Sequence, residues 1–345
     1  MTAQPAPQRS RRVLVPLNLP PPQPVAAQRG VQVLGGKTMG TTWSVRFVGP
    51  VAAADLHAVI EAVLARIIAQ MSPWEPESDI SRFNAAPAGT WHSLATEFAA
   101  VMRYAVGLAE ATGGAYDPTV GPLVDLWGFG PAGSVATPPK AADVEAARAH
   151  CGWQRLCFEA ETARMFQPGG VHLDLSSIAK GYAVDCVAAA LRTAGVKSFL
   201  VEIGGELRGE GVKPDGLPWW VALEPPPRSA SVSTMAEPEE TIAALYGLSV
   251  ATSGAYQRFF TADGRSYSHT IDPRTGYPVP PGLVSVTVID SACMHADALA
   301  TTLTVLGPDA GMALAVRENV AASFVMLEGE RLHERVTPAF AAMLE

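Results

Sequence analysis

A carboxylate and a hydroxyl stand four residues apart in the last sixth of the chain. The segment Ala296–Thr302 places Asp297 and Thr301 on one face of a predicted helix that ends near Gly307, because residues four apart share a helix face. Two hard oxygens suit Mg²⁺, which fills its remaining positions with water and phosphate oxygens. The same pattern would result from an Asp whose negative charge interacts favourably with the helix dipole and a Thr whose hydroxyl bonds the backbone of its own helix. On this segment alone, both interpretations stay open.

A second polar segment joins an apolar stretch to a predicted helix. Residues 173–185 read LDLSSIAKGYAVD, and the apolar start predicts a strand that runs into the helix. Free N–H groups at a helix start can bind phosphate, and Lys180 adds a positive charge there. An ordinary strand-to-helix turn with a surface lysine fits the same residues.

A histidine next to a turn is the third candidate. His269 precedes the turn that contains Asp272, Pro273 and Gly276. It could act as an acid or a base near neutral pH, with Asp272 orienting it or its neighbours. Most lone histidines are satisfied core or surface residues. The chain has six other histidines, so the presence of a histidine at this position is weak evidence for a catalytic role.

Three aromatic residues could stack on a flat ring system. Trp74 follows Ser-Pro in a polar segment, Tyr116 lies in a glycine-rich turn, and Trp127 is surrounded by apolar residues and glycines. We expect Trp127 to pack in the core and Trp74 to be available to a ligand. Gly204-Gly205-Glu206, after a predicted strand, would either bring backbone and a carboxylate to a ligand or form a simple turn.

The elements that must position these residues are both helices and strands. Apolar residues at three-and-four spacing predict helices over about 56–71 and 94–111, and a proline-initiated helix is predicted over 137–152. Strands are predicted at 199–203, 219–223, 248–251 and 284–288. Because the two kinds of element do not alternate strictly, the sequence predicts an α+β fold.

Composition excludes several classes of function. The 345 residues carry a formal net charge of −8, which argues against a nucleic-acid partner because phosphate backbones need clustered Lys and Arg. The four cysteines have no metal-finger spacing, so we expect buried free thiols. No run reaches the ~18–20 apolar residues of a membrane-spanning helix, so no integral membrane segment is expected.

The chain divides into a leader and one domain. Arginines and prolines in residues 1–30 predict a disordered leader. Residues 31–345 are predicted to form a single domain, with a mobile insertion at 225–240. We expect a cytoplasmic protein, with the periplasm as the alternative.

Eight segments, in this order, resemble the ApbE family of FAD:protein FMN transferases over about residues 33–330. They read TMGTTWSV, MSPWEPESDISRFN, GGAYDPTVGPLVDLWGFG, LDLSSIAKGYAVD, LVEIGGELRGEG, ATSGAYQRFF, SHTIDPRTGYPV and ADALATT. The resemblance implies a two-lobed, T-fold-related α+β fold with FAD in the cleft between the lobes. It also implies cleavage of FAD with Mg²⁺, transfer of FMN to a Thr or Ser of an acceptor flavoprotein through a phosphoester, and release of AMP.

The resemblance also implies a role for individual residues. Asp297, Thr301 and the backbone oxygen of Ala179 would hold Mg²⁺, and His269 matches the family's reacting histidine. The FAD contacts would fall on Met39, Trp74, Ala115, Tyr116, Asp117, Ser176, Tyr182 and the backbone near Ile271, with Lys180 close to the phosphates. A FAD pyrophosphatase that uses water, and a FAD-binding protein that performs no chemistry, are the alternatives.

Overall fold

An eight-stranded antiparallel sheet is the centre of the fold. The computed structural model describes residues 11–17, 30–223, 240–254, 258–329 and 331–344. With strands numbered in chain order, the spatial order in the sheet is β18 (Arg331–Val336), β17 (Ala321–Glu328), β16 (Leu283–Asp290), β11 (Leu248–Gly254), β8 (Glu206–Glu210), β7 (Ser198–Ile203), β3 (Thr41–Val48) and β2 (Gln32–Thr38).

Helices cover one face of this sheet. They are α1 (Ala53–Met71), α3 (Thr96–Ala111), α6 (Ala179–Thr193) and α7 (Cys293–Arg317). Side chains alternate along each strand, so Phe199, Val201 and Ile203 of β7 join the core under α1, α3 and α6. Val286 and Val288 of β16 join a second core under α7. The sheet and these helices position the polar segments at their ends.

The opposite face of the sheet packs on a small three-stranded sheet. Its strands, in spatial order, are β1 (Arg11–Leu14), β10 (Glu240–Leu245) and β9 (Trp219–Ala222), and α8 (Pro338–Ala341) lies beside them. Residues 11–14 therefore do not belong to a disordered leader, contrary to the sequence prediction. The reason is that Leu14 is fully buried and the strand pairs in parallel with β10. The predicted insertion at 225–240 lies outside the described residues except at Glu240.

A smaller unit packs around Trp127. It contains α4 (Gly121–Leu126), α5 (Ala141–Arg148), the hairpin β12 (Phe259–Ala262) and β13 (Arg265–Ser268), and the hairpin β14 (Ile271–Asp272) and β15 (Tyr277–Pro278). Trp127 is only 1% exposed, and its indole N–H donates to the carbonyl of Gly276 at 2.8 Å. The predicted core role of Trp127 is confirmed.

The remaining elements pack on the core that lies under α1, α3 and α6. They are α2 (Asp79–Asn84), β4 (Thr90–Ser93), β5 (Cys157–Glu159), β6 (Arg164–Gln167) and a 3-10 turn (Trp153–Arg155). Strands β4, β6 and β5 form a sheet of their own, in that spatial order. Three helices and four strands occur where the sequence predicts them, although the third helix begins at Ala141. Pro138 and Pro139 therefore lie before the helix and not in its first turn. Pro138 itself stands before a proline, a position at which the helical region is disfavoured.

Two local predictions are wrong. Residues 173–175 form no strand, because the side-chain amide of Asn84 bonds both the N–H and the carbonyl of Leu173 at 2.7 and 3.0 Å. A side chain therefore occupies the groups that a partner strand would use. The four cysteines are free thiols, as expected, but only Cys293 is buried; Cys151 and Cys186 are half-buried and Cys157 is exposed.

Helix α7 is long and interrupted. At Gly307 the backbone leaves the helical region, with φ 77° and ψ 177°, and Pro308 follows. This break lies where the sequence predicts the helix to end. Among the described residues, α7 is the one helix whose length and apolar composition would allow it to cross a membrane. In this fold it packs on β11 and β16.

Candidate active site

Helices α6 and α7 cap each other's N-termini. The backbone N–H of Gly181, in the first turn of α6, donates to Asp297 Oδ2 at 2.9 Å. In return, Asp185 of α6 accepts from the N–H groups of Cys293 and Met294, which begin α7, at 3.1 and 2.9 Å. Such N–H groups have no acceptor within their own helix. The reciprocal caps fix Asp297 against the start of α6.

Gly181 allows this close approach. A Cβ atom at this position would collide with the carbonyl oxygen of Cys293 and would lie 2.8 Å from Cβ of Asp297. We expect Gly181→Ala to separate the two helices and to lower the free energy of unfolding by ~1–3 kcal/mol, the usual effect of overpacking. Urea denaturation checks this. The matched control is Gly107→Ala in α3, where an added Cβ meets nothing within 4 Å and should raise stability by up to ~1 kcal/mol. Equal effects of the two substitutions would contradict the packing argument.

Asp185 is the second half of the reciprocal cap. It also accepts from the guanidinium of Arg208 at 2.8 Å, and Arg208 in turn donates to the carbonyl of Ser291. Asp185→Ala should lower the free energy of unfolding by ~0.5–2 kcal/mol, the usual loss for a helix cap, and should loosen the start of α7. Thermal denaturation measures the loss. Asp55→Ala, an exposed aspartate in the first turn of α1 without a capping bond, is the control that should change stability by much less.

Asp297 and Thr301 both lie on α7, four residues apart, as the sequence predicts. Asp297 is 6% exposed and lies in the second turn of α7, so it caps another helix rather than its own. The hydroxyls of Thr302 and Thr304 donate to carbonyls one turn earlier. The hydroxyl of Thr301 makes no hydrogen bond within the described part of the chain. The structural roles considered from the sequence are therefore not the ones observed. Asp297 caps α6 rather than its own helix, and the Thr301 hydroxyl does not bond the backbone of α7 as those of Thr302 and Thr304 do.

An ion pair adjoins Asp297. Lys180 Nζ lies 2.5 Å from Glu206 Oε1, and Glu206 begins β8 directly after the turn at Gly204-Gly205. Burial raises the pKa of Glu206 to about 8, although the charge of Lys180 opposes the shift. Burial alone would lower the pKa of Lys180, but the carboxylates of Glu206 and Asp297 raise it.

This group of charges fits a cation. Burial raises the pKa of Asp297, with Lys180 and the Gly181 N–H opposing the shift. Two buried carboxylates share one lysine, and Glu206 Oε2 is buried with no hydrogen-bond partner. The raised pKa values show that the ionised forms of these carboxyl groups are poorly compensated, and a bound positive charge would stabilise those forms. No group of three or more His, Cys, Asp or Glu with metal-binding geometry occurs among the described residues, but one carboxylate, one hydroxyl and one carbonyl would not form such a group.

His269 follows strand β13. Its Nδ1 lies 3.0 Å from the carbonyl oxygen of Arg258, which can only accept, so Nδ1 carries the proton and Nε2 keeps a free lone pair. Its ring contacts Phe129 edge-on. Burial lowers the pKa of His269 below its usual 6.5, the bond to the carbonyl opposes this, and the charges of Arg258 and Lys180 lower it further. The ring is therefore neutral at pH 7. Asp272 bonds Arg274 instead, so the partner of His269 is a carbonyl that the sequence did not reveal.

The sequence matches the ApbE family over residues 39–324. The chain belongs to the ApbE family. It is 38% identical to a FAD:protein FMN transferase of Vibrio cholerae serotype O1, over 90% of this chain and 92% of that protein. The corresponding transferase of Haemophilus influenzae is 35% identical over 93% and 94%.

Solved structures of ApbE proteins have the same fold. The apo flavinyl transferase ApbE of Pseudomonas stutzeri superimposes with a TM-score of 0.83 at 42% identity, over 91% of this chain and 97% of that one. The Vibrio cholerae flavin transferase ApbE gives 0.82 at 35% identity, over 91% and 99%. The predicted α+β ApbE fold is confirmed.

Several residues that the family resemblance associates with FAD surround the start of α6. Ser176 is exposed in the turn before the helix, and its N–H donates to Asp174. Tyr182 is half-buried on the helix itself. The hydroxyl of Tyr116 lies 3.5 Å from Ser177 Oγ, which brings the segment from Ala115 to Asp117 to the same place. Of the N–H groups at this helix start, those of Ala179 and Gly181 already have protein acceptors, so fewer remain for a phosphate than the sequence suggests.

The side chains of the 115–117 segment are structural. Tyr116 is 3% exposed within the main core, so its ring is not available for stacking. Asp117 accepts from the N–H and hydroxyl of Thr119 and from the N–H of Trp153, and Ala115 is buried. Only the backbone groups of this segment remain available to bind a ligand.

Other predicted contact residues differ in their exposure. Trp74 is 48% exposed, next to a cleft lined by Pro73, Asn84, Asp125, His172 and Asp174. Met39 adopts the left-handed region, with φ 48°, in the two-residue turn between β2 and β3, as a type I′ hairpin requires. Ile271 is buried beside Trp127, so its contribution would be its backbone, as the resemblance implies.

Proposed function

We propose that this chain is a FAD:protein FMN transferase that joins FMN to a Thr or Ser of an acceptor flavoprotein and releases AMP. One observation carries the proposal. Asp297 is buried and held at the start of α6, and the free hydroxyl of Thr301 lies one turn further along α7. The same fold contains His269, a neutral histidine with a free Nε2. The names of the Vibrio cholerae and Haemophilus influenzae relatives support the same activity.

The transfer breaks one bond and forms one. The acceptor hydroxyl oxygen bonds to the phosphorus on the FMN side of the pyrophosphate, and the bond from that phosphorus to the bridging oxygen breaks, so AMP leaves. The hydroxyl proton passes to Nε2 of His269. A threonine hydroxyl is a weak nucleophile at pH 7, and a base within about 3 Å activates it. The Arg258 carbonyl keeps the histidine in the tautomer that this step needs.

Asp297, Thr301 and the carbonyl of Ala179 are the residues that would hold Mg²⁺. When bound, this ion neutralises charge on the pyrophosphate oxygens and on the departing phosphate. Lys180, held by Glu206, adds a fixed positive charge at the same helix end. Glu206 prevents Lys180 from pairing fully with Asp297, so that the carboxylate remains available to the cation.

A FAD pyrophosphatase is the alternative within the same site. Water in place of the acceptor hydroxyl would give FMN and AMP through the same metal ligands and histidine. A FAD-binding protein without chemistry would need neither a metal pair nor a base, so the arrangement around Asp297 and His269 favours an enzyme.

Intact-mass analysis tests the proposal. The protein is incubated with FAD, Mg²⁺ and the protein acceptor of the Vibrio cholerae relative, with and without EDTA. We expect the acceptor to gain the mass of FMN, with one AMP released for each modified acceptor, and no gain in EDTA. Free FMN and AMP with an unmodified acceptor would instead identify a pyrophosphatase, and unchanged FAD a binding protein.

The cytoplasm is the compartment that we propose, with the periplasm as the alternative. Four free thiols among the described residues are compatible with a reducing compartment. Fractionation of cells that express the full-length gene, followed by immunoblotting, distinguishes the two.

A further inference from the structure

Arg258 lies opposite the reacting histidine. In the register of the β12–β13 hairpin, Phe260 is paired with Tyr267. Two residues further from the turn, the same register places Arg258 opposite His269, and the His269 N–H donates to the Arg258 carbonyl at 3.0 Å. Residues of such a hydrogen-bonded pair lie about 5.5 Å apart at Cα, and their side chains share one face. Arg258 and His269 are therefore neighbours on one face of the hairpin.

This face is the one that packs on the unit around Trp127. Phe260 and Tyr267 stack on each other and contact Trp127, and the ring of His269 contacts Phe129 on the same side. The aromatic rings fill the face close to the turn. Arg258, which is exposed, stands at the other end of it, where the face reaches solvent next to His269.

The charge of Arg258 acts on two parts of the site. Burial lowers the pKa of His269, and the charge of Arg258 lowers it further. Burial raises the pKa of Asp174, and the charge of Arg258 opposes that shift. Asp174 lines the cleft beside Trp74 and lies in the turn before α6, where it accepts from the Ser176 N–H. The guanidinium is therefore within electrostatic reach of both the histidine and the segment that leads into α6.

The guanidinium of Arg258 is left free to bind a ligand. It makes no hydrogen bond or ion pair within the part of the chain that the structure describes. Arg274, on the neighbouring hairpin, differs because both oxygens of Asp272 bind its guanidinium at 2.9 Å. A free guanidinium presents five N–H donors in a planar fork, which matches two oxygens of a phosphate.

We propose that Arg258 is a further catalytic residue, whose guanidinium binds oxygens of the FMN-side phosphate during the transfer. This inference rests on the proposed transferase function, because the attacked phosphorus must lie next to the acceptor hydroxyl that His269 activates. Arg258 shares a face with that histidine, so the FMN-side phosphate is the one within its reach. The guanidinium neutralises charge on the phosphate oxygens that keep their bonds, and it neither forms a covalent bond nor moves a proton.

Binding of FMN and of riboflavin tests the phosphate contact without turnover. The two flavins differ only by the phosphate, and flavin fluorescence measures the affinity of each in the presence of Mg²⁺. Arg258→Gln removes the charge and keeps the backbone carbonyl that His269 needs. Arg258→Lys keeps a charge but loses the planar fork. Arg265→Gln is the matched control, because Arg265 is an exposed arginine of the same hairpin and lies about 13 Å further along β13 than His269.

We expect Arg258→Gln to weaken FMN binding by about tenfold or more and to leave riboflavin affinity unchanged. Transfer to the protein acceptor of the Vibrio cholerae relative, with FAD and Mg²⁺, should lose about 10²-fold or more in kcat, as when one preorganised donor is removed from an active site. Arg258→Lys should lose less in both assays, and Arg265→Gln should behave like the wild type.

Three results in Arg258→Gln would each overturn the proposal: wild-type FMN affinity, wild-type kcat, or equal losses of affinity for FMN and riboflavin. A melting temperature shows whether each variant folds. If Arg258→Gln does not fold, wild-type FMN affinity in Arg258→Lys overturns the proposal instead.

Failure of the transferase function gives a different result. Absence of transfer by the wild-type protein would refute that function, and the catalytic role of Arg258 with it. A loss of affinity for FMN but not for riboflavin in Arg258→Gln would still establish the phosphate contact, because that measurement needs neither the acceptor nor turnover.

Discussion

Replacing Asp297 by alanine should abolish transfer, with a loss on the order of 10³-fold or more. The substitution removes the one buried carboxylate of the predicted metal ligands, and charge neutralisation by a bound ion is worth several kcal/mol in the transition state. Transfer is measured by acceptor mass and by AMP release over a range of Mg²⁺ concentrations. The wild-type melting temperature should rise with Mg²⁺ because the ion binds the folded state, and this rise should disappear in the variant.

Two further variants separate charge from structure. Asp297→Asn keeps an oxygen that accepts from the Gly181 N–H, so the helix start stays capped while the charge is lost. It should therefore fold like the wild type and still fail in transfer and in the Mg²⁺-dependent thermal shift. Asp309→Asn, an exposed aspartate beyond the break in α7, should behave like the wild type. A Mg²⁺-dependent thermal shift of wild-type size in Asp297→Asn would refute the assignment of this residue as a metal ligand.

Replacing His269 by alanine should reduce transfer by ~10²–10⁴-fold, the usual effect of removing a positioned base. FAD affinity should change little. Because burial lowers the His269 pKa below 6.5, the neutral form predominates at pH 7. The wild-type rate should therefore fall only as the pH drops through this lowered pKa, where protonation of Nε2 removes the base. The variant should lack that acid limb, and a pH–rate profile measures both.

His269→Asn provides the test of a merely structural role. Its amide can donate to the Arg258 carbonyl as Nδ1 does, but it cannot accept a proton near neutral pH. Rates close to wild type in this variant would show that the histidine acts only through that bond. His333→Ala, in the exposed strand β18, serves as the control and should leave transfer unchanged.

Local sequence patterns predicted the elements correctly where one side of an element is apolar. The spacing from Leu56 to Met71 places a continuous apolar stripe on α1, and the alternation around Val286 and Val288 places β16 in the sheet. The motifs also predicted the ApbE family correctly. The prediction failed where a distant side chain replaced a regular partner, as Asn84 does at Leu173.

Ligand contacts were the hardest to predict from residue type. Tyr116 is aromatic and lies in a motif, yet its ring fills the core. Asp117 is acidic and lies in the same motif, yet three N–H or hydroxyl groups occupy its oxygens. The residue type determines which hydrogen bonds and contacts a side chain can make. The packing around the side chain determines which of these remain available to a ligand.

By itself, the sequence determined the fold class and the family, and it supplied the candidate residues for binding a cation and moving a proton, because these depend on residue type and short spacing. Only the tertiary structure decided how they act together. Gly181 and Asp297 are 116 positions apart, and Asp185 and Cys293 are 108 apart. No short-range pattern encodes contacts at such separations, since they arise when the sheet brings α6 and α7 together. The tautomer of His269 likewise depends on a backbone carbonyl, which every residue carries and no sequence motif reveals.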